Sequence, residues 1–534
     1  MAITTLSFAA FVTLVVAFYY LLPKRFQWCV LLIASMLFYI SFGIKNIVFI
    51  LITATTIYLA ARWMFNITTA QKRYFKENKE NLTKEEKTLI KQKNNIKRKA
   101  IFLVSLLLNL GILCVFKYGN FILDQVNSVF SWFGFEQPVG ALKFLVPLGI
   151  SFYTFQSIGY LTDVYWEHYD AEKNYFKTLL FVSFFPQITQ GPISEFSTLS
   201  NELFTPHSFS YENFSKGFQR MLWGFMKKML IADVLAPYVA DAFVNHNEYA
   251  GIVVLFSAFM YSVQIYADFS GYMDIMCGIC QMLGIKLTEN FMRPYFSKSI
   301  AEYWRRWHIS LGNWFKKYIY YPIGMSTWSR KFAKNNREKY GKHFSDNIPA
   351  TVALVVTWTA TGLWHGASWE YITWGIVNGL FIIVSLWLEP IYATCKSKLK
   401  INEKAWLWRA FQTIRTFFLV TMIKVFPEVG GFKEGFSFLK RIFTNFSIPN
   451  NISSLLPFVN FGSMQEVLTF LICIVFTGVL FITSLLQRKQ PVRSLFNKIP
   501  MVLRVAVLAI LAILLIAFGV PATWGGGGFM YANF

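Results

Sequence analysis

Charge is what this chain has least of. Only 15% of its 534 residues are Asp, Glu, Lys or Arg, where a soluble domain carries about 25%, and that shortage excludes an ordinary water-soluble fold. Acidic side chains are the scarcer sign, 28 against 51 Lys and Arg. Cysteines number six, at 29, 114, 277, 280, 395 and 473. Cys277 and Cys280 form a single Cys-x-x-Cys inside an apolar stretch, with no second pair to complete a zinc or redox site, so they read as inert buried thiols. No internal repeat is visible, which counts against an inverted-repeat transporter.

What is abundant is hydrocarbon. The chain is 55% hydrophobic and 19% aromatic, and its apolar runs reach or approach the ~20 residues that a membrane-spanning helix needs. Ala2–Leu22, Ala100–Phe116, Val467–Leu486 and Met501–Val520 are the clearest. We therefore expect an all-α, polytopic membrane protein. Counting runs gives about 11–14 membrane segments, the uncertain ones falling between 141 and 300.

The net charge of +23 sits in short stretches between apolar runs. Gln71–Lys99 carries eleven Lys and Arg against four Glu, and Arg330–Lys342 carries six against one. Smaller groups lie at Lys396–Lys404 and Arg488–Lys498. This is the positive-inside pattern, which assigns these stretches to the cytoplasm. No groove-reading motif accompanies them, so nucleic acid is not the expected partner. The first span lacks a basic start and a cleavage site and is followed by Lys24-Arg25, so it is expected to be retained with its N-terminus outside.

A single integral-membrane domain over 1–534 is expected. Residues 1–140 supply N-terminal spans and the basic segment, expected as a solvated helix or hairpin; 141–390 form the core and 391–534 further spans. Between 141 and 300, Pro147, Gly149, Pro186, Gly191, Pro192 and Gly271 interrupt the apolar runs. Broken or re-entrant helices persist at membrane depth only when packed in protein or lining a water-filled cavity. The centre is therefore the expected site, built around a channel. Alternation predicts an exoplasmic loop near 428–464 and an exoplasmic C-terminus.

Six histidines are present, and two of them, His308 and His365, lie in Trp-rich apolar sequence, the other four in polar surroundings. An imidazole is costly in hydrocarbon and usually has a task there. On one continuous helix Trp304, Trp307, His308 and Leu311 would share a face, with Arg305, Arg306, Lys316 and Lys317 elsewhere, as on a helix lying at the membrane surface. From spacing, His308 is equally a site residue or an anchor bonded to a carbonyl. His365, flanked by Trp364 and the small Gly366-Ala367, sits where an apolar setting favours the neutral form a general base needs. A core histidine bonded to a neighbouring helix is the bland alternative.

Gln187 and Gln190, with Ser194, mark a polar, kinked tip. Asp268 and Asp274 are carboxylates in an apolar run, for which a shaping Asp–Arg lock with Arg293, Arg305 or Arg306 is expected. Lys227, Lys228 and Asp233 read first as an interfacial anchor. No metal site is expected, because His308 and His365 are far apart in sequence and neither has an acidic or thiol ligand pattern.

The run Arg293-Pro294-Tyr295-Phe296-Ser297, then Trp304-Arg305-Arg306-Trp307-His308, with Leu363-Trp364-His365-Gly366 downstream, resembles the membrane-bound O-acyltransferase superfamily. It is most similar to the bacterial branch containing the membrane subunit for alginate O-acetylation. Val146–Phe152, Gln190–Ile193, Gly271–Ile275, Lys227-Lys228 with Ile231–Asp233, and Phe529–Tyr531 also fit; Gln190 departs from the small residue many relatives carry. The resemblance covers roughly 140–380 well and the ends loosely.

It implies an enzyme moving an acyl group, most simply acetyl, from a cytoplasmic thioester to a hydroxyl outside. His365 would be the catalytic base and His308 a second catalytic-site residue. Trp304, Trp307, Trp364, Gln187, Gln190, Asp268 and Asp274 are the expected substrate or channel lining. The implied setting is a bacterial cytoplasmic membrane, with no bound cofactor and with acetyl-CoA or an acyl carrier as cosubstrate. The implied partners are a periplasmic or membrane-anchored acetyltransferase- or hydrolase-like protein, a polysaccharide acceptor such as alginate, and lipid. D-alanyl transfer to teichoic acid is the rival within the superfamily, and a proton-relaying transporter the rival outside it.

Overall fold

A computed structural model describes residues 1–135, 140, 142, 147–447, 462–488 and 492–520. Val146, the expected loop over much of 448–461, and the aromatic Phe529–Tyr531 lie outside these residues. Among the described residues the secondary structure is helical, with one isolated antiparallel bridge, Phe291 to Trp307. Six helical stretches among the described residues are long and apolar enough to cross a membrane: Ile44–Glu77, Lys84–Trp132, Gly251–Met282, Trp369–Trp387, Met464–Leu486 and Met501–Phe518, with Leu6–Leu21 shorter. The chain is a multi-pass, all-α membrane protein.

Two compact units are present. The first comprises Ser7–Phe214 and Cys280–Leu287, with Met1. Its basic segment is a helical hairpin of Ile47–Glu77 and Lys84–Leu113. The turn is fixed by a reciprocal cap in which Glu86 donates its backbone N–H to the Thr83 hydroxyl and returns its carboxylate to the Thr83 N–H. Asn109 bridges the two arms through Thr56 at 3.1 Å. Helix Ile150–Tyr165 is buried on every face from Ile150 to Val164, as expected of a helix apolar all round. It starts from Gly149, whose φ of 68° favours glycine and where a Cβ would sit 1.8 Å from the Ile188 carbonyl oxygen. Tyr175–Ser183 and Phe185–Ile188 are separate helices, and the chain stays buried through Ser194. That is the broken geometry its Pro and Gly content predicts.

The second unit comprises Ala2–Leu6, Ser215–Ile279 and Thr288–Phe534. Three sequence expectations change here. Gly271 does not break a helix: it lies within Gly251–Met282 and permits close crossing of Tyr211–Met226. A Cβ at Gly271 would stand 2.9 Å from the Gly224 carbonyl oxygen, and one at Gly224 would stand 2.6 Å from that of Gly271. Small residues at such crossings replace side-chain volume with backbone contact. The basic run 330–342 is not a loop but the exposed start of helix Thr327–His365, which kinks at Gly341. Finally, helix Phe432–Thr444 occupies part of the expected exoplasmic loop.

Candidate active site

His308 does not lie within a continuous helix. Helix Ile300–Trp304 ends and helix Ile309–Phe315 begins with His308 between them, its backbone left-handed at φ 47° and ψ 54°. Such a conformation costs a side-chain-bearing residue roughly 1–2 kcal/mol and persists because the neighbouring chain fixes it. Asn290, itself buried, accepts the Ile309 N–H on its backbone oxygen at 3.1 Å and the Ser310 N–H on Oδ1 at 2.8 Å. Arg306 O accepts from Met292 N at 2.9 Å, beside the Phe291–Trp307 bridge. Trp307, His308 and Leu311 are buried as their spacing predicts, but a broken turn, not one helical face, gathers them. His308 lies outside the span-length helices, and burial pushes its imidazole down to about 3, so the ring is neutral at pH 7.

His365 ends helix Thr327–His365, and the following helix, Trp369–Trp387, folds back along it. Glycines set their separation: a Cβ at Gly362 would lie 2.5 Å from the Tyr371 carbonyl oxygen, and one at Gly375 would lie 2.4 Å from that of Trp358. The close approach delivers Trp374 to the His365 ring at 4.8 Å, nearly perpendicular, with Tyr371 stacked at 6.4 Å. Trp364 joins the two histidines, with centroids 5.9 Å from His308 and 5.0 Å from His365. Phe269 closes the other side of His308 at 4.9 Å.

A cavity of about 30 Å³ opens against His365, its walls including Trp304, Trp307, Tyr371, Trp374, Lys424 and Glu428. Trp304 is anchored there by its indole N–H, donated to Asn378 Oδ1 at 3.1 Å. A second cavity, of about 780 Å³, has Tyr295 in its wall with five cations, Arg293, Lys298, Arg306, Arg409 and Arg488, and no carboxylate among its described lining residues. Such a surface suits an anion carrying apolar bulk.

Other expected site residues have different work. Asp268 and Asp274 are locked, but not by Arg293, Arg305 or Arg306. Asp274 takes Arg220 at 2.8 Å and Lys227 at 2.6 Å, while Asp268 takes Lys228 at 2.7 Å. Lys228 also holds Asp233 at 2.7 Å. Lys227, Lys228 and Asp233 are buried, so they form an internal ion-pair network, not an interfacial anchor. The lysines face inward because the helix widens to a π-helical turn over Lys227–Ala232. Gln187 and Gln190 are buried in the first unit, where Gln187 donates to the Ser194 hydroxyl at 2.6 Å. His246 lies not in polar surroundings but buried, bonded to the Phe243 carbonyl at 2.8 Å. Lys424, Asn290, Tyr371 and Trp374 went unpredicted. Only Lys424 announces itself in sequence, as a cation inside an apolar run.

Residues 170–425 match the model of MBOAT, the membrane-bound O-acyltransferase family. That match takes in just under half of the chain, 256 of its 534 residues. The chain's relatives include the probable alginate O-acetylase AlgI of Pseudomonas putida, 38% identical over 276 residues, 52% of this chain and 53% of the relative. The peptidoglycan O-acetyltransferase of Helicobacter pylori is 29% identical over 316 residues, 54% of this chain and 56% of the relative. The teichoic acid D-alanyltransferase of Streptococcus thermophilus is 26% identical over 299 residues, 53% and 69% respectively. The chain spans about half the length of the first of these relatives. The MBOAT match contains both histidines, the wall of the smaller cavity except Pro427 and Glu428, and the Lys–Asp network.

Proposed function

We propose that this chain is an O-acetyltransferase of the MBOAT family, moving an acetyl group from a cytoplasmic thioester to a hydroxyl of a polysaccharide outside the membrane, directly or through a periplasmic partner. The observation that carries the reading is the pair of imidazoles on either side of Trp364, with His365 opening onto an aromatic-walled cavity. A hydroxyl is a weak nucleophile at its own pKa. A neutral imidazole at His365 takes its proton as the oxygen attacks the thioester carbonyl, a role typically contributing ~10²–10⁴-fold. His308, neutral and fixed, orients the acceptor.

The cationic cavity supports an anionic donor, and acetyl-CoA brings both phosphates and an apolar stem. Acetyl is favoured over D-alanyl transfer by the higher identity to the relatives named as alginate O-acetylases. The basic segments support a cytoplasmic donor side by the positive-inside rule, which goes with a bacterial inner membrane and an exoplasmic N-terminus.

The test is transfer of radiolabel from acetyl-CoA to alginate, peptidoglycan or cello-oligosaccharides by protein in liposomes, with and without a co-purified partner. Polymer labelling that disappears in His365→Ala, with insertion and folding retained, is the expected result. Labelling retained in that variant rejects His365 as the base. Transfer only from a D-alanyl carrier protein reassigns the donor, and passage of intact donor without label transfer makes the chain a transporter.

A further inference from the structure

Lys424 is a buried lysine in an apolar helix, Trp406–Val425, and the reaction outlined above gives it no task. Its Nζ donates to the Tyr295 hydroxyl at 2.8 Å and lies 4.0 Å from the centre of a Trp307 ring, 4.8 Å from that of Tyr295 and 5.3 Å from that of Tyr303. No carboxylate lies within ion-pair distance among the described residues. This differs from the unit's other buried lysines, Lys227 and Lys228, each paired with aspartate. Ring faces, unlike a carboxylate, do not take up the N–H donors of the amine they surround. Tyr295, in turn, is fixed by donating its hydroxyl to the Ser262 carbonyl.

The position of this amine matters as much as its cage. Lys424 lines the small cavity with His365, while Tyr295 lines the large cationic one. The Lys424–Tyr295 hydrogen bond therefore joins the walls of the two. A carbonyl presented to His365 from a donor held among the arginines arrives at the one lysine in the smaller cavity's wall.

Resting on the acetyl-transfer reading, we propose that Lys424 is a catalytic residue, the hydrogen-bond donor to the thioester carbonyl oxygen. As the acceptor oxygen bonds to the carbonyl carbon, its proton passes to His365 and the C=O π pair moves onto oxygen. Lys424 N–H holds that oxyanion. The pair then re-forms the carbonyl, the C–S bond breaks, and the thiolate takes the proton from the His365 imidazolium. A preorganised donor in a water-poor site is worth most where charge develops.

The test compares wild type with Lys424→Met, which keeps the length of the side chain and removes its N–H donors, using acetyl-CoA and alginate oligosaccharides. The expected result is a kcat lower by about 10²-fold with the KM for acetyl-CoA unchanged. A spectroscopic arm uses S-acetonyl-CoA, a ketone analogue, ¹³C-labelled at the carbonyl. Its infrared carbonyl stretch should fall below the value in water when bound to wild type, and the shift should be lost in Lys424→Met. A variant turning over at the wild-type rate, or one impaired in KM alone, overturns the proposal. So does an unshifted ketone on wild type, a measurement that stands even where the variant fails to fold. Wild type that leaves acetyl-CoA untouched removes the underlying reading, and the role of Lys424 falls with it.

Discussion

His308 and Trp364 meet ring to ring at 5.9 Å, one from a strained turn and the other from the last turn of a long helix. The indole also packs on His365, so it sets the spacing between two groups that have to address one substrate.

Trp364→Ala should therefore cost more in rate than in binding. A displacement of the reacting groups by about 1 Å is worth roughly 10²-fold, and acetyl transfer should fall on that scale. The emptied volume should also cost about 3–5 kcal/mol of stability. Trp364→Phe, which keeps a ring there, should recover part of both. Wild-type rates in the alanine variant would show that the indole does not govern the spacing.

The buried lysine–aspartate network makes a stability prediction. Asp274→Asn leaves Lys227 without its countercharge, while Arg220 keeps Glu289, and breaking a buried pair from one side costs about 3–5 kcal/mol. Exchanging both Lys227 and Asp274 for apolar residues should cost less than the single change, because no unpaired lysine is left behind. Thermal unfolding in detergent reads both, and equal losses would argue against the network.

Helix crossing makes another. Gly271→Val should abolish monodisperse protein, since a Cβ there already meets the Gly224 carbonyl oxygen at 2.9 Å. At Gly111, where a Cβ meets nothing within 4 Å, Gly111→Ala should be tolerated and stabilise the helix by about 0.5–1 kcal/mol. Size-exclusion profiles and melting temperatures separate the two cases.

The basic hairpin should loosen in acid. Glu167 pairs with Lys72 at 3.0 Å on one arm and Arg98 at 2.7 Å on the other. Partial burial alone would raise its carboxyl, but the two cations outweigh that and hold it below its ordinary value of 4.5. The unfolded chain therefore binds the proton more readily, so the clamp is fully present above pH 4.5 and is lost as pH falls through the lower folded value. Protection factors for amide exchange in the two arms should fall as the pH drops from about 5 to about 3, and Glu167→Gln should show the lowered protection at pH 7. Equal exchange in wild type and variant at pH 7 would refute the clamp.

Membrane character, the hairpin and the breaks around Gly149 and Pro186 were legible in the sequence because each follows from local composition. The two histidines were legible for a related reason, a polar ring in apolar surroundings. Pairing was not. Asp274 and Asp268 announced that they needed cations, yet nearby arginines looked as suitable as Lys227 and Lys228, and only the π-helical turn turns those lysines inward. Helical periodicity likewise predicted which of Trp307, His308 and Leu311 are buried while missing the turn at His308, which Asn290 imposes from outside the motif. Lys424 carried the same signal as the histidines.

The contact of Gly362 with Tyr371 and of Gly375 with Trp358 sets backbone against backbone between the two helices that follow the kink. Neither helix can slip along the other without steric collision. His365, Tyr371 and Trp374 therefore travel as one rigid piece, and whatever widens the chamber for an incoming acyl unit has to be motion of the opposite side, where Trp307 and the end of the Lys424 helix stand.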